Sequence, residues 1–386
     1  MKRFLAAAFF LAVTGATMTA QAAVPPDVAA ALKQQFADMK KQSAGLLSTE
    51  GELKIDGDSI IYPQMKILVQ DKLSYWTVPP IRLNFTGSAQ GGVVPFSLSL
   101  PDSLRQTHIN GTLLRAVTLT GQNIGGDWSQ KDNTIARIDG KLASVTWNDT
   151  VYETTTTAQN IALQAKSQFV TGDQTGDKAG DKANIIFHTQ ADNFTRMPQN
   201  FANGLMPSKL SMTGQIKSLP KALIVFGALM PIPGLEATLA KMGTQIDIDN
   251  VNAVTNNGAT LSGNGFFKAA GEGSPLPVSG RMNLTWENLQ QVLTSLQQGF
   301  SKGGGDRAQT AQSMVLLMAL QGLGKAENQK TSYTVDLTPE GQVILNGQDV
   351  TAMFVGPNSL LRFFQPKPKQ PTVPADAPPV KGQGTI

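Results

Sequence analysis

The stretch VDLTPEGQVILNGQDV, residues 335–350, carries the pattern on which the fold depends. Two short apolar runs flank the turn-forming sequence TPEG (338–341), and a second turn signal, NG (346–347), follows at once. Proline and glycine suit the backbone angles of tight turns, and Asn-Gly is a strong local signal for a hairpin. The stretch therefore predicts short strands joined by tight turns.

Short alternations of apolar and polar residues fill most of the chain. Successive side chains of a strand point to opposite faces, so IRLNF (81–85) and FSLSL (96–100) predict strands with one buried and one wet face. Longer runs follow in ARIDGKLASVTW (136–147) and NIIFHTQADNF (184–194). Few helices of crossover length separate them, which favours antiparallel meanders. The predicted fold class is mainly β (α+β): an extended, curved antiparallel sheet of meanders with a few amphipathic helices packed on it, mostly in the C-terminal half.

The first 22 residues have the pattern of an export signal. A basic pair (2–3) precedes an unbroken apolar stretch (4–13), and AQA (20–22) has the small residues of a signal-peptidase site. The apolar stretch is shorter than the roughly 20 residues that span a bilayer. We therefore expect a signal peptide, cleaved between Ala22 and Ala23, and residence in the periplasm of a Gram-negative cell.

The composition excludes several classes of site. The chain has no cysteine, which rules out a disulfide framework, a thiolate nucleophile, a thiolate metal site and a lipidated cysteine. The formal net charge is +4, and it falls to +2 when Lys2 and Arg3 leave with the signal peptide. So small an excess of scattered basic residues gives no reason to expect nucleic acid as a partner.

The mature chain begins with a predicted amphipathic helix over residues 23–45. Val28, Leu32, Phe36 and Met39 fall at helical spacing on one face. The opposite, basic face leaves two interpretations open, docking on the body of the protein or contact with a membrane surface, and we favour docking. Beyond the helix we predict a β-meander half (46–204), a β half with apolar helices (205–364) and a disordered tail rich in proline and lysine (365–386).

Apolar helical patterns are concentrated in the second half. The segments 222–230 and 235–242 are followed by an amphipathic pattern at 285–300 and a further helix from Asp306. One interpretation is that these methionine-rich helices simply fill the concave side of a bent sheet. The functional interpretation is an apolar groove that admits an acyl chain or another apolar ligand, lined by Leu223, Phe226, Met230, Leu293, Met314, Leu317 and Met318.

The sharpest catalytic match follows the order found in penicillin-recognising serine enzymes. Ser218 and Lys221 fit S-x-x-K, SGN (262–264) fits S-x-N, and KTS (330–332) approximates K-T-G. The chemistry requires the serine at the start of a helix, with the lysine one turn on. However, the second element lies in strand-like sequence and the third lacks its glycine. A serine hydrolase is therefore a remote alternative, and we predict that the protein is not an enzyme.

Metal and cofactor motifs are missing from the sequence. His108 lies in a turn-like stretch and His188 in a predicted strand, and neither has further ligands at metal-site spacing. Asp247 and Asp249 share a strand face, but the sequence that follows lacks the glycine and the terminal glutamate of a calcium loop. We expect structural roles for all four residues, with no catalytic residue, no metal and no cofactor.

Four stretches of the chain resemble an uncharacterised bacterial envelope family, the domain of unknown function twenty-one twenty-five. They are WTVPPIRLNFTG (76–87), VVPFSLSLPDSL (93–104), IGGDWS (124–129) and YTVDLTPEGQVILNGQDV (333–350). The general texture is also similar to AsmA- and YdgA-type envelope proteins, in which an N-terminal signal or anchor precedes long runs of β-strand. The resemblance implies periplasmic residence and an extended, curved β architecture, and it implies no catalytic residues.

Two functional hypotheses follow. The first is a non-enzymatic periplasmic envelope protein that binds or shields an apolar or lipid ligand in envelope maintenance or lipid handling. The second is a structural or interaction scaffold of the cell envelope that holds partners through sheet edges and the proline-rich tail. The expected partners are a lipid or acyl chain, an envelope protein or a peripheral membrane surface, without nucleic acid.

Overall fold

A single antiparallel sheet builds most of the protein. The computed structural model describes residues 24–43, 45–69, 72–87, 89–169, 182–197, 206–221, 224, 235–271, 274, 276, 278–292, 294, 318 and 321–354. Their strands form one sheet of 21 segments, and neighbouring segments pair in antiparallel fashion. The predicted fold class, a mainly β protein with a curved antiparallel sheet and few helices, is confirmed.

The first half combines one helix with ten short strands. They are α1 (Pro26–Gln42), β1 (Leu47–Glu50), β2 (Lys54–Asp56), β3 (Ser59–Tyr62), β4 (Gln64–Leu68), β5 (Ser74–Val78), β6 (Ile81–Phe85), β7 (Val93–Ser99), β8 (Ser103–His108), β9 (Leu113–Thr120) and β10 (Asn123–Ser129).

The second half begins with strands of ten to sixteen residues, and its described elements include two short helices. They are β11 (Thr134–Asp149), β12 (Thr154–Phe169), β13 (Lys182–Met197), β14 (Pro207–Pro220), α2 (Leu235–Met242), β15 (Gln245–Thr255), β16 (Thr260–Ala269), β17 (Val278–Glu287), β18 (Lys325–Glu327), β19 (Lys330–Leu337), β20 (Val343–Leu345), β21 (Gln348–Asp349) and α3 (Thr351–Phe354).

The short strands of the first half join end to end into bent strands. β9 and β10 lie one after the other along β11, where Thr120 pairs with Ser144 and Asn123 pairs with Lys141. In the same way β7 and β8 together pair with β9 and β10, and β5 and β6 pair with β3 and β4. Each bent strand therefore pairs with the next one along the chain, and the sheet is a sequential meander.

Proline and glycine lie at the bends. Pro63 separates β3 from β4, Pro79 and Pro80 separate β5 from β6, and Pro101 lies between β7 and β8. Proline has no N–H group to donate to a ladder, so the pairing is interrupted there and the strand can change direction. Gly121, with a φ of +58°, occupies the equivalent position between β9 and β10. These bends follow one another across neighbouring strands, and the sheet folds along them.

Helix α1 fills the inside of this fold. Val28 and Leu32 are fully buried, and they belong to the same apolar cluster as Ile60 of β3, Met65 of β4 and Trp128 of β10. β3 and β10 lie on one side of the bends and β4 lies on the other, so the helix packs against both arms of the sheet. The apolar face of the helix is therefore part of the core, as the docking interpretation predicts.

The long strands bend without breaking. β11, β12 and β13 each run for sixteen residues, which corresponds to roughly 50 Å. The register between β12 and β13 shifts near Asn160 and Asn193, and both asparagines have positive φ angles. Asparagine reaches this backbone region more readily than most residues, and bulges of this kind bend and twist a strand. The curvature of the first half thus continues into the second.

The stretch 335–350 forms the end of the meander, as predicted. β19 pairs with β20, and β20 pairs with β21 through a turn formed by Asn346 and Gly347. Their φ angles of +50° and +86° are those that an Asn-Gly turn requires. The Asn346 side chain also donates a hydrogen bond to the carbonyl oxygen of Leu323 at 2.7 Å, which ties the turn to the segment before β18.

The helix predicted over 285–300 begins later than expected. Residues 285–287 are the end of β17, where Trp286 pairs with Leu261 on one side and with Thr331 on the other. Backbone hydrogen bonds to both neighbouring strands, β16 and β19, outweigh the helical periodicity of the sequence here. The helical turn starts only after Asn288, whose φ is +59°. The helices predicted over 222–230 and from Asp306 lie almost wholly outside the described residues, as do the predicted signal peptide, the boundary between the predicted halves, and the tail.

Replacing Leu32 with alanine should leave a cavity where α1 meets both arms of the sheet. We expect the free energy of unfolding to fall by about 2–5 kcal/mol. The Lys41→Ala variant alters an exposed position of the same helix and should change it by less than about 0.5 kcal/mol. Chemical denaturation measures both variants, and equal stabilities would show that the helix is not part of the core.

The bend at Gly121 can be tested against a glycine with the same backbone angle. Gly121 and Gly91 both have a φ of +58°. A Cβ atom on Gly121 would lie 2.5 Å from the Cβ of Ala143, whereas a Cβ on Gly91 would meet nothing within 4 Å. Both alanine variants carry the strain of a left-handed residue, about 1–2 kcal/mol. Gly121→Ala should lose about 1–3 kcal/mol more, because it adds the clash. Equal losses in thermal or urea denaturation would contradict this account of the bend.

Candidate functional site

The second half of the sheet has one face without charged side chains. The register aligns this face of β14, β15, β16, β17 and β19 in four rows, which we call the apolar face. The rows are Leu210-Ala253-Leu261-Trp286-Thr331, Met212-Val251-Gly263-Leu284-Tyr333, Gly214-Ile248-Gly265-Met282-Val335 and Ile216-Ile246-Phe267-Gly280-Leu337. Since adjacent strands are about 4.8 Å apart, five strands give roughly 20 Å of continuous apolar surface.

The opposite face of these strands is polar and crossed by ion pairs. The Arg281 guanidinium donates two hydrogen bonds, of 2.5 and 3.1 Å, to the Asp336 carboxylate on the next strand. Asp247 pairs with Lys217 across β14 and β15. Burial by itself would raise the pKa of Asp247, but hydrogen bonds from Lys217 and Gln245 lower that pKa below its usual value. This polar face is compatible with exposure to solvent, so any apolar partner of the sheet must lie on the other face.

The apolar face is less completely covered than the core around α1. Met212, Ile248 and Phe267 are half-buried, whereas Ile60 and Phe85 of the first half are fully buried. Within the described residues, α2 packs against β14 and β16, and two side chains cover the region of β19 and β20, namely Leu323 and Met353. The rows between them keep part of their apolar surface exposed. An apolar sheet face of this kind requires a second layer or a ligand.

Two glycines lie in the middle of the apolar face. A Cβ atom on Gly265 would lie 2.7 Å from the Sδ atom of Met282, and a Cβ on Gly263 would lie 2.7 Å from Cδ2 of Leu284. The side chains of Met282 and Leu284 therefore lie across the neighbouring glycines instead of standing upright. Glycine within a strand commonly allows such a close approach. The two side chains therefore fill the space above the glycines.

Polar atoms lie at one end of the apolar face. Trp286 Nε1 and the Tyr333 hydroxyl oxygen are buried and have no hydrogen-bond partner within the described part of the chain. Leaving such a group unpaired costs about 1–3 kcal/mol. Burial raises the pKa of Tyr333, so its hydroxyl keeps its proton at neutral pH and remains a donor. Both groups are therefore ready to donate a hydrogen bond to an acceptor that the described residues do not supply.

The predicted groove residues are not brought together by the described structure. Leu223, Phe226, Met230, Leu293, Met314 and Leu317 lie outside the described residues, and the Met318 side chain is 60% exposed. The predicted groove therefore stays an expectation, and the face of the sheet is a further candidate that the helical patterns do not indicate. The alternation in TQIDIDNVNAV (244–254) and GRMNLTW (280–286) is the signal that could have found it.

The elements of the serine-hydrolase alternative do not form a site. Ser218 lies within β14 rather than at the start of a helix, and the Lys221 ammonium pairs with Asp132 at 3.3 Å. The register places the end of β14 level with Lys268, which is six residues, or roughly 20 Å, along β16 from Ser262. The serine and lysine side chains are therefore not arranged as this chemistry requires.

The acidic and histidine side chains of the described residues are not arranged as a metal site. Among the described residues, no group of three or more histidine, aspartate or glutamate side chains is placed to hold a metal ion. His108 accepts a hydrogen bond from the Asn110 N–H through Nδ1 at 3.2 Å, and His188 lies within β13. No helix in the described ranges is long and apolar enough to cross a membrane.

Comparisons with known proteins give no match. No protein-family model, no curated protein and no solved structure matches this chain. The family resemblance of the four quoted stretches therefore stays an expectation. The function of the apolar face must be argued from its own geometry and chemistry.

Proposed function

We propose that this protein is a non-enzymatic component of the Gram-negative cell envelope that binds an apolar ligand, such as a lipid acyl chain, on the apolar face. The observation that carries the proposal is the uncharged, half-buried surface across five strands. Burying roughly 300 Å² of apolar surface there would contribute about 7 kcal/mol before the costs of association. Such a surface supports an apolar ligand rather than a sugar or a nucleotide.

The shape of the face favours a slender ligand. α2 and the side chains of Leu323 and Met353 bound the apolar rows at their margins. Between them, the side chains of Met282 and Leu284 lie flat over Gly265 and Gly263. Apolar sites with few polar groups are typical of pockets for small molecules and lipids. An extended alkyl chain fits these dimensions better than a folded protein domain.

The proposed location is the periplasm. The basic pair, the apolar stretch and the AQA sequence of the first 22 residues support export. The likeness to bacterial envelope proteins supports the same compartment. Lipids that cross this aqueous space need their apolar chains shielded from water. The proposed role is thus in envelope maintenance or lipid handling.

A neutral fluorescent probe, diphenylhexatriene, tests the proposal directly. The wild-type protein should bind the probe, and Met282→Glu should weaken binding at least about tenfold, because the new carboxylate loses its hydration on the apolar face. Asn283→Glu places the same charge on the adjacent residue, which points to the polar face, and should leave binding unchanged. Circular dichroism confirms that both variants fold. A wild-type protein that does not bind the probe, or two variants with equal effects, would contradict the proposal.

A second candidate function is a scaffold of the cell envelope. Its support is the open edge of the sheet at β2, where Lys54, Ile55 and Asp56 are all exposed. These residues pair with β3 alone among the described strands. An edge of this kind offers backbone N–H and C=O groups to an added strand. An envelope protein partner could therefore extend the sheet from this side.

Removal of residues 365–386 separates the two candidates. A ligand-binding protein should bind diphenylhexatriene as tightly without the proline-rich tail, because no residue of the tail belongs to the rows of the apolar face. A scaffold that lacks the tail should instead form fewer chemical cross-links to envelope proteins in intact cells. Loss of probe binding together with intact cross-links would contradict the assignment of the apolar face as the ligand site.

A further inference from the structure

We propose that the ligand carries a hydrogen-bond acceptor at one end and that Trp286 and Tyr333 bind this polar head. The inference rests on the proposed function, because it specifies the class of ligand for the same face. The shared chemistry is an alkyl chain that ends in a carboxylate, ester or phosphate oxygen. The alkyl chain lies along the apolar rows, and the head lies at the end where the two aromatic residues meet.

Trp286 and Tyr333 are close enough to bind one head group. Trp286 of β17 pairs with Thr331 of β19, and Tyr333 is two residues further along β19 on the same face. Such diagonal neighbours in an antiparallel pair are about 7–8 Å apart, within reach of aromatic side chains. Leu284, which pairs directly with Tyr333, continues the apolar surface from this point. A head group between the two aromatic residues would therefore extend into the apolar rows.

Every unpartnered group at this end can donate a hydrogen bond to an incoming ligand. The indole N–H of Trp286 can only donate, and the hydroxyl of Tyr333, which is 93% buried, retains a proton to donate. Asn257, in the turn between β15 and β16, adds a third buried donor. Its Nδ2 amide nitrogen has no partner in the described structure. Its Oδ1 atom already accepts a hydrogen bond from the Thr255 hydroxyl at 2.5 Å. A single class of ligand atom, an acceptor oxygen, can therefore accept a hydrogen bond from each of these groups.

The turn that holds Asn257 lies beside the strand end that holds Trp286. A Cβ atom on Gly258 would lie 3.4 Å from Oε1 of Gln291, in the helical turn that follows β17. The Asn288 N–H donates to the Gln329 carbonyl oxygen at 3.1 Å, which connects the same turn to the start of β19. The ends of β15, β17 and β19 thus meet at one place, and the three donors belong to one end of the apolar face.

A buried tryptophan in the first half provides the matched control. Trp128 Nε1 is also buried without a partner in the described structure. Around Trp128, however, the unpartnered atoms include acceptors, namely Oε1 of Gln35 and Oγ1 of Thr134. Gln35 lies on α1, and Thr134 is next to Ile135, which pairs with Trp128. A single water molecule could satisfy such a mixed group, so Trp128 does not call for a ligand oxygen.

The experiment measures how ligands with different heads displace diphenylhexatriene. Dodecanoic acid and methyl dodecanoate present acceptors, whereas dodecylamine presents donors on the same chain. The wild-type protein should prefer the acid and the ester over the amine by about tenfold. Tyr333→Phe keeps the ring and removes the donor, and Trp286→Phe keeps an aromatic side chain without the N–H group. Each should weaken binding of the acid about five- to tenfold more than it weakens binding of the probe, which has no acceptor. Trp128→Phe should change neither.

The outcomes separate the inference from the proposed function. If the wild-type protein binds the probe but does not distinguish acid and ester from amine, the assigned head group is wrong and the apolar site stands. Unchanged affinity for the acid in both phenylalanine variants overturns the inference in the same way. If the wild-type protein does not bind the probe, the proposed function fails and the inference fails with it. Circular dichroism checks the fold of each variant, and the head-group series on the wild-type protein decides the question even if a variant unfolds.

Discussion

Backbone pairing between strands that are neighbours in sequence is the constraint on which this structure depends. From the bent strands of the first half to β17, each strand forms its ladder with the preceding and the following one, and β17 then pairs with β19. The sheet thus grows by one strand at a time. Register of this kind aligns the apolar residues of β14, β15, β16, β17 and β19 on one face. That face must be covered, because an antiparallel sheet is stable in water only when its apolar side is removed from solvent.

The two halves of the sheet meet this requirement differently. In the first half, proline and glycine bend the strands around α1, and residues such as Leu32 and Ile60 are fully buried between the arms. In the second half, bulges near Asn160 and Asn193 curve the strands without interrupting them. The described helices cover this part only at its margins, and residues such as Ile248 remain half-buried. The first half therefore encloses its apolar residues in a core, whereas the second half leaves part of its apolar face exposed.

The chemistry of that surface supports an amphiphilic ligand. Its rows contain no charged residue, and the charges of the same strands form ion pairs on the opposite face, as between Arg281 and Asp336. Trp286 and Tyr333 add donors at one end without adding charge. By contrast, the Ser218 and Lys221 pair is separated from its supposed partners by the geometry of the sheet.

The sequence by itself determined the strands, their turns and the buried face of the first helix. Alternation and turn chemistry act over a few residues, so the hairpins of residues 335–350 and the buried positions Val28 and Leu32 could be predicted without a structure. Only the tertiary structure decided that residues 285–287 extend β17 instead of starting a helix, because two neighbouring strands supply the ladder bonds. It also decided that the candidate site lies on the sheet, since the apolar rows exist only when five strands are aligned in register.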